Sequence, residues 1–259
     1  MELKKSYTME DLFEIMSILR SENGCPWDRA QTHQSIKKSM IEECYEAIDA
    51  LDKGDDKAFA NELGDVLLQV VFHSAIASER GAFSFDDVLY ELCTKLITRH
   101  THVFGADKAV TADEALGSWE RNKKKEKKLE SYTDMLLDVP HGFPALMRAQ
   151  KIQKKAASAG FDWEDVKGVW DKLYEEADEL AAAKTDDEKA EEFGDLLFAA
   201  VNLGRHMGID CETALGAATV KFIERFTRME QAAKADGYAL DELSESEMEA
   251  YWSKIKQKA

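Results

Sequence analysis

Two short segments of the chain set carboxylates three residues apart inside apolar sequence. "EEFGDLLFAAV" (191–201) holds Glu192 and Asp195, and "NELGDVLLQVV" (61–71) holds Glu62 and Asp65. On a helix, positions i and i+3 share a face. In the first segment the polar stripe Glu62, Asp65, Gln69 runs among Leu63, Val66, Leu67, Val70 and Val71. A helix apolar nearly all round belongs in an interior, so these acids are expected to face a core or a cleft. Carboxylates withdrawn from water without partners take up a proton or find a cation. A second acidic pair lies upstream of each: Glu43 and Glu46 in "IEECYEAIDAL", Glu176 and Glu179 in "LYEEADEL". An antiparallel pairing of the two helices brings four carboxylates to one spot. Oxygen donors without His or Cys suit Mg²⁺, Mn²⁺ or Ca²⁺. The Glu-x-x-His pairs of a di-iron bundle and the calcium-loop pattern are both missing from the sequence. Gly64 and Gly194 interrupt the two segments. A mid-helix glycine costs about 1 kcal/mol relative to alanine, and its recurrence predicts close approach by another helix or by the ligand.

Magnesium keeps several waters and usually meets substrate phosphates. Cations that could hold such an anion stand one helical turn apart: Lys221 with Arg225, and Lys95 with Arg99. Trp252 and Lys256 repeat that spacing near the C-terminus. Together these residues describe a pocket for a metal-bound polyphosphate, with an aromatic ring for a base.

The elements that must position these groups occur twice. Trp27 in "PWDR" pairs with Trp163 in "DWED", followed by Glu43/Glu46 with Glu176/Glu179 and then Glu62/Asp65 with Glu192/Asp195. Lys95/Arg99 with Lys221/Arg225, and "WERNK" (119–123) with "WSKIK" (252–256), complete the order. The chain therefore reads as two tandem copies of one domain, over 1–130 and 144–259, with a linker at 131–143; the stretch 130–144 holds two of the three prolines. Helical periodicity predicts helices near 8–22, 33–53, 56–79, 86–102 and 111–128, then 144–158, 165–184, 187–206, 211–235 and 245–257. "TMED" and "SESE" are helix starts, and no segment alternates as a strand would. The expected class is all-α, two small helical bundles whose thin cores favour dimerisation.

The formal charge of −17 over 259 residues argues against nucleic acid as the main partner. The basic run Lys123–Lys128 reads as a solvated helix end or linker. Four widely spaced cysteines without Cys-x-x-Cys fit a reducing cytoplasm rather than disulfides or zinc. The first twenty residues lack the apolar core of a signal peptide, and no apolar run approaches membrane-spanning length.

The sequence resembles the MazG family of nucleoside triphosphate pyrophosphohydrolases. The resemblance lies in "CPWDRAQTH" (25–33), both acidic quartets, "LLQVVFHSAIA" (67–77), "RHTHVFG" (99–105) and "KFIERF" (221–226), and covers essentially the whole chain. It implies hydrolysis of NTPs between the α and β phosphates to NMP and pyrophosphate, a homodimer, broad base tolerance and removal of unwanted nucleotides. It implies that Glu176, Glu179, Glu192 and Asp195 hold Mg²⁺, with Mn²⁺ as the alternative, and act in catalysis. Lys172, Lys221 and Arg225 would hold phosphates, and Trp252 would line the nucleotide site. Glu175, Lys189 and Lys256 belong to the same substrate-side set; Glu188 and Lys189 leave the register of the phosphate-facing lysine open by one residue. A second site is expected at Glu43, Glu46, Glu62 and Asp65 with Lys95 and Arg99. There Ser39 stands where the other copy has Lys172, which weakens it for triphosphate. The mechanism implied is attack of a water on the α-phosphorus while Lys and Arg stabilise the leaving pyrophosphate. A non-catalytic nucleotide-binding regulator, an enzyme restricted to dUTP or dCTP, and a helical scaffold are the competing readings.

Overall fold

The computed structural model describes residues 2–257, which form thirteen α-helices, one 3-10 turn and no strand. The helices group into two compact units, Met1–Lys123 and Lys124–Ala259. The first unit contains α1 (Met9–Arg20), α2 (Pro26–Ala30), α3 (Lys37–Asp52), α4 (Asp56–Glu79), α5 (Phe85–Arg99), α6 (Thr101–Phe104) and most of α7 (Ala112–Glu126). The second contains α8 (Tyr132–Leu137), α9 (Ala145–Ala157), α10 (Val166–Ala182), α11 (Asp186–His206), α12 (Cys211–Ala235), the 3-10 turn Leu240–Glu242 and α13 (Glu245–Gln257). The ten helices expected from periodicity are all present, with α6 splitting off the end of the fourth. Between them lie α2, α8 and the 3-10 turn, too short to show a period. α8 falls in the stretch read as linker and packs against α9.

Each unit is organised around one helical hairpin, α3 with α4 and α10 with α11, the most extensive helix contact of that unit. Three residues separate the helices in both hairpins, so they must run antiparallel. Gly54 closes the first turn at φ +69°, a left-handed conformation that favours glycine. The second turn ends in a capping box. The Thr185 hydroxyl accepts from Glu188 N (3.2 Å), and the Glu188 carboxylate accepts from Thr185 N (3.0 Å) and Lys184 N (2.7 Å). Both partners satisfy amides that the first helical turn leaves unpaired.

In the first unit Met16, Ile36, Val71, Phe72 and Ile76 form an apolar core, with Leu12, Phe13 and Phe85 packed around it. Burial along α4 is uneven: Gln69 to Ala77 is mostly interior, whereas Leu63 and Leu67 are exposed. α11 behaves alike, with Val201 to Leu203 buried and Phe193, Leu197 and Phe198 exposed. The expectation of a helix buried all round therefore holds only for the C-terminal halves; no described residue of the same unit covers the N-terminal ones. Nor does a neighbour approach the two repeated glycines: a Cβ at Gly64 or Gly194 would meet open space. All four cysteines are free, and among the described residues no helix is long and apolar enough to cross a membrane.

The cap at Thr185 starts the helix that carries Glu192. Thr185→Ala is expected to lower stability by about 1 kcal/mol, read as a shift of the urea midpoint at unchanged m-value.

Candidate functional site

The α10–α11 hairpin places Glu176 and Glu179 opposite Glu192. One carboxylate oxygen from each lies within 4.8 Å of the others. Glu176 is the interior member, 6% exposed. The Lys172 ammonium, one turn earlier on α10, reaches Glu176 at 2.6 Å and Glu175 at 2.7 Å. Its pKa is driven upward by hydrogen bonds to these two carboxylates, so it stays charged. Glu192 moves the other way for an acid. Partial burial raises its pKa, and the charges of Glu179, Glu176 and Asp195 add to the rise. Like charges held this close disfavour one another's ionised form, which makes the cluster a receptor for positive charge.

Asp195 lies outside this close triplet, yet lines a cavity of about 380 Å³ together with Lys172 and Glu176. Phe161, Trp163, Val169 and Phe198 give that cavity apolar walls. The segment carrying Phe161 and Trp163 is tied down by Asp162, which accepts from Arg205 Nη1 (3.0 Å) and contacts His206 Nε2 (2.9 Å). Arg205 Nε in turn donates to Asn202 Oδ1 (2.8 Å). The Arg205 hydrogen bond is the main reason that the Asp162 pKa is lowered to about 2. Trp163 presses on the backbone of Gly168 so closely that a Cβ there would collide with the indole. These residues, with Gln153 of α9, were not among the site residues expected from sequence. "DWED" was legible as a landmark of the repeat, but Asp162 and Arg205 are 43 residues apart and no motif joins them.

The other expected residues divide into groups. Lys189 lies in the first turns of α11 and pairs with Asp186 at 3.2 Å. Lys221 and Arg225 lie on α12; none of the cavity's lining residues comes from α12 or α13. Trp252 packs on Phe222 of α12, centroids 5.3 Å apart, and Lys256 extends over the Trp252 ring at 5.9 Å. Trp252 thus covers the helix that carries the basic pair and does not line the cavity.

In the first unit Glu43, Glu62 and Asp65 gather within the same 4.8 Å limit. Glu46 is outside the triplet, although its charge contributes to raising the Glu43 pKa, after burial and Asp65. Asn61 Nδ2 donates weakly to Glu62 (3.3 Å) and Asp65 (3.4 Å). Lys38, beside Ser39, pairs outward with Glu42 at 2.6 Å, so the counterpart of the Lys172–Glu176 contact is missing. Arg99 lies over the Trp119 ring at 5.3 Å, and Lys95 is half-buried on the same helix.

The donor set tests what each cluster can hold. Three carboxylates without nitrogen or sulfur ligands fit a hard divalent cation and disfavour zinc or copper.

Residues 31–104 match the family model of the MazG nucleotide pyrophosphohydrolase domain, and residues 142–218 match that of phosphoribosyl-ATP pyrophosphohydrolase. The chain is 48% identical over 249 residues to the nucleoside triphosphate pyrophosphohydrolase/pyrophosphatase MazG of Thermotoga maritima, covering 95% of each chain. It is 43% identical over 254 residues to the nucleoside triphosphate pyrophosphohydrolase of Escherichia coli strain K12, covering 96% of this chain and 97% of that one. It is also 44% identical over 247 residues to the uncharacterized protein YabN of Bacillus subtilis, 94% of this chain and 50% of that protein.

The Asp162 contacts have a pH signature. A carboxyl whose pKa falls from 3.8 to about 2 on folding contributes stability that is complete above about pH 4 and lost as pH falls toward 2. Asp162→Asn is expected to lower the melting temperature at pH 7 and to flatten its fall between pH 4 and 2, measured by circular dichroism.

Proposed function

Because the chain belongs to the MazG family of nucleoside triphosphate pyrophosphohydrolases, we propose that the α10–α11 hairpin is its catalytic site and that the resident cation is Mg²⁺. The protein is a hydrolase acting on the phosphoanhydride bond of nucleoside triphosphates. One observation carries the choice of hairpin: in the second unit the acidic triplet combines a lysine on its interior carboxylate with a cavity at its edge, and among the described residues the first unit's triplet has no such lysine.

Glu176, Glu179 and Glu192 would hold the cation, with Asp195 beside them and Mn²⁺ as the substitute. Bound there, it supplies Lewis acidity to the phosphoryl oxygens and offsets the charge of the triphosphate. Lys172 holds Glu176 in place and keeps a full positive charge, free to leave exposed Glu175 for a phosphate oxygen. Lys221 and Arg225, on a helix packed against α9 and α11, are the further cations for the β and γ phosphates, with Lys189 and Lys256 at the periphery. Glu179 and Glu192, not engaged by Lys172, orient the attacking water and accept its proton. The water oxygen bonds to the α-phosphorus, the α–β bridging bond breaks, and NMP and pyrophosphate leave.

The uncovered apolar residues support a homodimer. On α12, Leu215 and Ile223 are 56% and 58% exposed and repeat at helical spacing with Phe222 and Phe226. On α11, Gly194 sits between exposed Phe193 and Leu197 with open space at its Cβ position. Contiguous exposed apolar surface marks association, and a second copy of the chain is the proposed partner. A cytoplasmic location and a role in clearing unwanted nucleotides complete the reading.

Release of pyrophosphate from ATP, GTP, CTP and UTP is expected to require Mg²⁺ and to stop on chelation. Glu192→Gln is expected to lower kcat/KM by about a hundredfold or more, and Glu62→Gln to leave it within a few-fold; loss confined to Glu62→Gln would move catalysis to the first unit. In light scattering the wild type is expected at twice the 29.2 kDa chain mass, and Leu215→Glu with Ile223→Glu at the mass of one chain.

A further inference from the structure

Two imidazoles of the first unit meet head to head. The Nδ1 atoms of His33 and His73 are 2.8 Å apart, and the rings lie parallel to within 6°, centroids 5.1 Å apart. His33 belongs to the segment 31–36 that leads from α2 into α3, and His73 to the mostly buried stretch of α4. We infer that the two histidines form an acid-sensitive latch, which holds the segment 31–36 on α4 in neutral solution and releases it when protons are taken up in mildly acidic solution.

The hydrogen count sets the behaviour of the pair. Only one hydrogen fits between two nitrogens at this distance. One ring donates Nδ1–H and has a bare Nε2; the other accepts at a bare Nδ1 and carries its hydrogen on Nε2. Both Nε2 atoms are buried and have no partner. A first extra proton goes to the bare Nε2 of the donor ring, where no acceptor meets it and burial penalises the charge. A second puts hydrogens on both facing Nδ1 atoms and sets two cations against each other. The closed contact therefore favours the uncharged pair. Burial, and after it the charge of His33, lowers the His73 pKa from its ordinary 6.5. Once the segment lifts, both rings reach water and take up protons as free imidazoles do.

The charged groups on the surrounding helices are engaged elsewhere. Arg20 of α1 lies over the Phe72 ring and pairs with Glu79 at 2.6 Å. Arg29 of α2 donates to the Glu22 carbonyl. Glu43 of α3 gathers with Glu62 and Asp65. Asp87 of α5 accepts from the backbone and hydroxyl of Ser84. Among the described residues no carboxylate acts on His73; the one charge that does is that of His33. A proton on the pair thus has no counter-charge beside it and weakens the contact itself.

The repeat shows that packing does not require histidine here. Counting from the paired acids, His33 corresponds to Val166 and His73 to Leu203, so the second unit has aliphatic residues at both positions. The latch is confined to the first unit. What it guards there is the core, because Ile36 ends the latched segment and Phe72 precedes His73, and both pack with Met16. The open state binds more protons than the closed one below about pH 6.5. The stability that the closed pair contributes is therefore complete above that pH and is lost as pH falls below it.

Hydrogen exchange of the full chain reads the latch, with exchange times scaled for the intrinsic rate at each pH. Between pH 7.5 and 5.5 protection over 31–36 and 69–77 is expected to fall about tenfold for each proton taken up on opening, while 166–172 and 199–203 keep theirs. His33→Val with His73→Leu, which installs the second unit's residues, is expected to abolish this acid response. In the wild type, long-range ¹H–¹⁵N spectra at pH 7.5 are expected to show two rings of opposite tautomer that are lost together on acidification. Unchanged protection at pH 5.5, an equal loss in the double variant, or two rings that titrate as independent free imidazoles overturns the inference. The wild-type exchange and spectra decide even if the variant does not fold.

Discussion

The constraint on which the structure turns is mutual repulsion among carboxylates that a helical hairpin cannot separate. Glu176 and Glu179 are fixed to α10 and Glu192 to α11, and the three-residue connection allows the helices no slack. The cost of that arrangement appears in the raised pKa of Glu192 and, in the first unit, of Glu43. Only a positive charge relieves it. Within the chain Lys172 does so in part, at the interior carboxylate. The rest of the demand is left for a cation and for what the cation brings with it. An acidic protein of net charge −17 would otherwise repel a triphosphate, so a local correction of charge is needed for substrate binding.

The two units share this hairpin and differ in what surrounds it. In the first, Met16, Ile36 and Phe72 belong to an apolar core, and Lys38 pairs with Glu42. In the second, Gln153 and Asn202 replace apolar contacts with polar ones, and a cavity opens between them and the acids. Filling a cavity generally stabilises a fold, and leaving an amide oxygen unpaired destabilises it. The second unit therefore carries an arrangement unfavourable to its own stability beside its acidic cluster. Such departures from good packing concentrate where a ligand completes the structure.

Much of this was legible in the residues. The acidic pairs announced the hairpins because i and i+3 spacing survives any packing, and the repeat fixed which segments face each other. Capping residues marked helix starts to within a residue, as at Thr8 before Met9 and Ser244 before Glu245. Three features were hidden for physical reasons. α8 is six residues long, too short for periodicity to emerge from a Pro-containing stretch. What approaches Gly64 and Gly194 was hidden too, because sequence gives the absence of a side chain but not what fills the space, and among the described residues nothing lies there. Gln153 looked like one more polar position on an amphipathic helix. Its buried place depends on the Phe198 carbonyl, 45 residues away, which accepts a hydrogen bond from its amide nitrogen.

The uncovered half of α11 ties assembly to chemistry. Phe193 and Leu197 are exposed on the same turns that carry Glu192 and Asp195. Any surface that covers the apolar pair also removes water from the neighbouring carboxylates. Desolvation strengthens every charge interaction that remains, repulsion among the acids and attraction to a cation alike. Covering the face without a cation would therefore be opposed by the acids, and with one it would be favoured. By linkage the same free energy acts in reverse, so that a cation bound at Glu176, Glu179 and Glu192 favours the covered state. On the proposed reading, association and metal binding would be one coupled equilibrium, through the adjacency of Glu192 to Phe193 on a single helix.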